Sequence, residues 1–204
     1  MNKYYPLLFA ATLTGLTLPA VAGTFSYSSV SAEYSKYSSA IDGFSEDFQG
    51  NGKSLDLSIA LRPNLAVTAG YSSTSANLYL SGTMADADIT STSIGLVGHL
   101  AINDTSDFLL EMRFFNGKAD VDVDGTYFGT VDIDGGTAAI GIRKMLFDTL
   151  EVNGFIQKIS VEDTSRVGIR FGAAYYVVKS VSVDFRFSLD NDSNLLAVAL
   201  TKYF

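Results

Sequence analysis

The densest carboxylates of the chain lie in two strings, Asp120-Val-Asp-Val-Asp-Gly125 and Asp132-Ile-Asp134. Aspartates at alternate positions share one face of a strand, and oxygens drawn from two neighbouring strands suit a hard cation such as calcium or magnesium. The D-x-D-x-D-G spacing opens like an EF-hand loop. Its twelfth position, however, is Val131, where a bidentate Glu belongs, and the interleaved valines favour strand. On a hairpin centred on Tyr127, Asp120 would oppose Asp134 and Asp122 would oppose Asp132. Directly opposed like charges destabilise a ladder. The expectation is therefore an exposed hairpin whose four aspartates are either screened by salt or bridged by a divalent cation.

Nucleophilic hydrolysis typically needs a His as general base beside Ser or Asp, and the chain has one His. Around it, Leu96-Val-Gly-His-Leu-Ala-Ile102 supplies no Ser, Asp or Glu. We expect His99 to be a polar interior residue on the face of Val97 and Ala101, with no catalytic residues and no enzymatic activity. Cysteine is absent, which removes disulfides, thiolate metal sites and Cys nucleophiles. The net charge of −8 argues against a nucleic-acid partner, and no resident organic cofactor is expected.

These residues must be carried by strands. No apolar run after the first residues reaches the roughly 20 residues of a spanning helix, so the positive mean hydropathy comes from alternation. Leu55, Leu57, Ile59 and Leu61 share a face against Ser54, Asp56 and Ser58, and Val181, Val183, Phe185, Phe187 and Leu189 repeat the pattern. Six further segments alternate likewise. With a weaker strand near Phe25 to Tyr37 and a terminal strand, the reading is all-β: a membrane-spanning, antiparallel, up-and-down barrel of ten strands, eight being the alternative. An even number puts both termini on one side. Connections at Arg62 to Asn64, Asn103 to Ser106, Phe147 to Thr149 and Val178 to Ser180 are short. They alternate with longer ones near 38–51, 74–90 and 116–136, which should lie outside the cell.

The face opposite the apolar one would line the lumen. It carries Asp56, Glu111, Arg113, Arg143, Glu151, Arg170, Asp184 and Arg186, charges that must be paired or wet. The Tyr127-centred hairpin would set Met112 opposite Ile142, Val121 opposite Ile133 and Glu111 opposite Arg143. A hairpin at Asn191-Asp192 would set Arg186 opposite Ala197, whose small side chain leaves the guanidinium room to reach across. Small barrels have interiors just wide enough for side chains or one small ligand, so a plugged lumen is expected.

Both ends of the sequence fit this reading. Lys3, the apolar stretch Leu7 to Leu18 and Ala20-Val21-Ala22 have the order of a signal peptide, with cleavage after Ala22 leaving 23–204 as one domain. At the other end, Leu196, Val198, Leu200 and Phe204 share a face of a closing strand. On the signal peptide, the alternation and terminal Phe204, the chain resembles the small single-domain outer-membrane β-barrels of OmpA-type, OmpX-type and porin-like proteins. The resemblance implies a bacterial outer-membrane protein with periplasmic termini. Its expected partners are outer-membrane lipid, lipopolysaccharide and the barrel assembly machinery, which would read Phe204 as a signal, and it would be a monomer. The expected role is envelope integrity, surface interaction or restricted small-solute passage; the alternative is a barrel binding or transporting one small hydrophobic ligand, and a third reading, ranked below both, is an outer-membrane enzyme.

Overall fold

The computed structural model describes residues 25–39, 48–80, 83–162, 164–190 and 193–204. The expected signal peptide, residues 1–22, lies outside them. Ten strands follow in order: β1 Ser29–Ser39, β2 Phe48–Arg62, β3 Leu65–Leu80, β4 Thr83–Asn103, β5 Ser106–Val123, β6 Thr126–Phe147, β7 Leu150–Val161, β8 Thr164–Val178, β9 Val181–Leu189 and β10 Ser193–Tyr203. Each pairs antiparallel with its sequence neighbours, and β1 pairs β10, closing the barrel. Closure leaves no edge through the paired girdle.

The distribution of side chains is inverted relative to a soluble domain. Large apolar residues point outward: Leu100 is 67 % exposed, Phe114 61 % and Phe185 52 %. The buried apolar residues are mostly alanines, among them Ala66, Ala119, Ala139, Ala174, Ala197 and Ala199, with Phe25, Leu109 and Phe155 the large exceptions. A barrel surrounded by hydrocarbon needs this arrangement, because its outer face meets lipid and its inner one must fit a narrow lumen. Among the described residues no helix is long and apolar enough to cross a membrane, so any crossing falls to the strands.

The four short connections form one end of the barrel, as expected, each a two-residue link between paired strands. The opposite end differs from expectation. Most of 74–90 and 116–136 is strand rather than loop: β4, β5 and β6 run to 21, 18 and 22 residues, against 9 in β9 and 11 in β1. Pairing of β6 with β7 begins only at Gly135. Strands β3 to β6 therefore rise as a tall wall above the rest of the barrel.

The hairpin at the top of that wall turns at Asp124-Gly125, not at Tyr127. Both residues have left-handed φ, 50° and 75°, as a type I′ turn requires, and Asp-Gly is a favoured pair for it. One residue, Phe128, bulges out between the pairs Asp122–Tyr127 and Val121–Gly129. The β5–β6 register is thus displaced by four from the expected one: Met112 meets Ala138 rather than Ile142, and Glu111 meets Ala139 rather than Arg143. A displacement by an even number keeps every side chain on its face, so the inside and outside assignments survive while the partners change. At the β9–β10 hairpin the expected register holds, with Arg186 opposite Ala197 and Phe187 opposite Leu196.

Candidate functional site: the lumen

At the end formed by the four short connections that include Asn64, Thr105, Asp148 and Lys179, the chain preceding β1 fills the barrel. The expected strand from Phe25 begins only at Ser29; Phe25 to Ser28 turns inward instead. It is held there by Ser58 Oγ donating to the Tyr27 carbonyl at 2.7 Å and by Ala60 N donating to Ser28 Oγ at 3.1 Å. The Tyr27 ring stacks on His99 at a centroid distance of 3.5 Å, and its hydroxyl donates to Asp107. Burial raises the Tyr27 phenol above its ordinary range; Arg143 opposes the shift and Asp107 adds to it. The phenol therefore stays a donor.

Arg143 organises this plug. Its guanidinium lies over the rings of Phe25 and Tyr27, 3.9 and 4.4 Å from their centroids, and reaches Asp107 at 3.3 Å and Glu151 at 3.8 Å. Such a desolvated cation needs this much compensation. Tyr176 donates to Glu151 at 2.8 Å and its ring lies against that of Tyr203. Leu109, Ala139 and Phe155 form a small apolar cluster on which Tyr27 and Val97 pack. His99 faces the lumen, as expected, with Nδ1 3.9 Å from Asp107. Asp107 is the acidic neighbour that the local sequence did not offer.

Farther along the lumen three ion pairs cross between strands that are not neighbours. Arg170 on β8 meets Glu111 on β5 at 2.5 Å and covers the Phe155 ring at 4.0 Å. Arg113 on β5 meets Asp56 on β2 at 2.8 Å. Arg186 on β9 reaches over β10 to Glu33 on β1 at 2.6 Å. The space above Ala197 permits that reach. Asp184 is held by hydroxyls instead, from Ser182 at 2.5 Å and from Thr201. Every expected lumen charge faces inward, but the expected Glu111–Arg143 pair does not form. Each member has another partner.

The aspartates of the tall wall are not gathered as expected either. Asp120 faces Thr130 and accepts its hydroxyl, Asp122 faces Tyr127, Asp132 faces Lys118, and Asp134 faces Asn116, which donates to it. Across β4–β5, Asp88 faces Asp120 and Asp86 faces Asp122. Among the described residues no group of three or more acidic, His or Cys side chains could hold a metal ion. The register thus sets neither Asp120 against Asp134 nor Asp122 against Asp132. Phe204 is exposed, and its N–H donates to the Ser28 carbonyl at 3.0 Å.

No family model matches the sequence, and no curated protein does. Solved structures share the fold. The transport unit of the autotransporter AIDA-I from Escherichia coli is 14 % identical, with a TM-score of 0.61 over 92 % of this chain and 93 % of that one. The translocator domain of the autotransporter NalP from Neisseria meningitidis is 10 % identical, with a TM-score of 0.60 over 90 % and 91 %. Neisserial surface protein A is 11 % identical, with a TM-score of 0.50 over 86 % and 96 %. The fold is that of small outer-membrane β-barrels.

Proposed function

We propose that this chain is a non-enzymatic outer-membrane barrel with a closed lumen, whose role is carried by what it presents at the cell surface. The observation that carries the reading is the filled interior. Phe25 and Tyr27 are clamped on Arg143 at one end, and three ion pairs cross the middle. A barrel built for flux would keep its centre wet; this one spends its interior positions on mutual contacts. The outward apolar band and the likeness to outer-membrane barrels support the location. With the two-residue turns and both termini on the periplasmic side, the tall wall of β3 to β6 projects outward, with Asp86, Asp88, Asp120, Asp122, Asp132 and Asp134 on its outer face and Tyr127 and Phe128 exposed at its tip. Surface interaction is the role this shape favours, while envelope integrity and solute passage gain no feature of their own.

Liposome swelling tests the reading. Vesicles carrying the folded barrel should swell in iso-osmotic arabinose no faster than empty ones. Swelling that scales with the amount of barrel would make the chain a pore.

A further inference from the structure

Above the three ion pairs, on the side of the tall wall, the lumen widens into a cavity of about 250 Å³. It exists because the inner face of β1 to β4 carries hydroxyls and glycines at that height. The ladder aligns Glu33, Ser54, Ser72 and Ser91 in one row across four strands. Gly52 sits beside that row, where a Cβ would come within 2.6 Å of Ser35 Oγ and 3.1 Å of Thr74 Oγ1. Two guanidinium groups border the same space. Arg113 and Arg186 each give one side to a carboxylate, and yet their side chains remain 39 % and 41 % exposed. Phe115 adds an aromatic surface.

The mixture decides the ligand class. Serine and threonine hydroxyls both donate and accept, arginine only donates, and carboxylates only accept. An anion offers acceptors alone; it would suit the arginines but meet Glu33 and Asp56, which already neutralise them. A molecule whose small ring bears several hydroxyls donates and accepts at every position, and its C–H face can lie on Phe115. The cavity is smaller than those that enclose drug-sized ligands, roughly 300–1,000 Å³, so it has room for one ring. The geometry points to a binding site for a neutral, monosaccharide-sized polyol in the vestibule, recognised by the Ser54–Ser72–Ser91 row, Thr74 and the free sides of Arg113 and Arg186. The site belongs to the folded barrel whichever way it faces in the membrane, so it stands apart from the proposed surface role.

Calorimetric titration of the full chain, folded in detergent micelles, with glucose, galactose and N-acetylglucosamine, and separately with sodium sulfate, tests the site. At least one neutral sugar should bind saturably, and Ser72→Ala combined with Ser91→Ala should weaken it tenfold or more while leaving the unfolding temperature in place. The hydroxyls of Ser72 and Ser91 are 2.8 Å apart, so their joint removal strips the centre of the row without adding bulk. Should that variant fail to fold, Thr74→Val, which keeps the volume and removes a hydroxyl, carries the same expectation. Saturation by sulfate but by none of the sugars, no saturable heat from any of the three sugars, or undiminished sugar affinity in the folded variant would each overturn the proposal.

Discussion

Arg143 stands directly across the β5–β6 ladder from Asp107, with its guanidinium 3.3 Å from the carboxylate and both side chains nearly closed off from water. Removing one member of a buried pair leaves the other charge uncompensated, at a cost of about 3–5 kcal/mol. Arg143→Ala should therefore lower the urea midpoint of the detergent-folded barrel strongly. In double-mutant cycles Asp107 and Arg143 should be coupled, as should Glu111 and Arg170 to a smaller degree because that pair is wetter. Glu111 and Arg143 should be additive. Coupling of Glu111 with Arg143 would contradict the register.

Tyr27 is tied into the same cluster through His99, Asp107 and Arg143. Tyr27→Ala should cost about 2–4 kcal/mol from lost packing and the lost cation–π contact. Tyr27→Phe should cost less, since it keeps the ring and surrenders only the hydroxyl. Equal losses in the two variants would put the contribution in the hydrogen bond rather than in the stacked ring.

The strands were legible because alternation reports faces, and faces do not depend on pairing in detail. The β5–β6 turn lies at Asp124-Gly125 and not at Tyr127, which changes every partner along the two strands but, the register differing by an even number, turns no side chain to the other face. Asp124-Gly125 carries the signal for the turn, since both residues adopt the left-handed φ that a type I′ turn requires. Lumen partners were harder to foresee. Glu33 and Arg186 meet across β10, and Asp56 and Arg113 across β3 and β4, distances that depend on barrel curvature, which a two-residue period does not encode. The plug left a fainter trace. Phe25 and Tyr27 continue the odd-numbered inner face of β1, with Glu33 and Ser35, so two large rings were already aimed at the lumen.

Because the chain has no cysteine, single substitutions report topology cleanly. In intact cells, Asp124→Cys at the tip of the tall wall should react with a membrane-impermeant maleimide. Lys179→Cys, in a two-residue turn at the other end, should react only after the outer membrane is opened. The reverse pattern would invert the barrel.

Phe204 donates its N–H to the Ser28 carbonyl, accepts from Ser26 Oγ at 3.0 Å and leaves its ring exposed, so its worth to the finished fold is modest. Deleting it should leave the unfolding free energy of the purified, refolded barrel within about 2 kcal/mol of the original yet reduce the amount of folded protein in the outer membrane of cells. Unchanged abundance in cells would show that the terminal residue is not read during assembly.

Single-channel recording in planar lipid bilayers bears most directly on the closed lumen. The wild-type barrel, inserted and verified as folded by its heat-modifiable migration, should give a quiet baseline without discrete steps across a range of voltages. Reproducible steps of uniform size from that protein would mean that ions pass the Phe25–Tyr27–Arg143 plug and the three ion pairs, and the account of a closed barrel would be wrong.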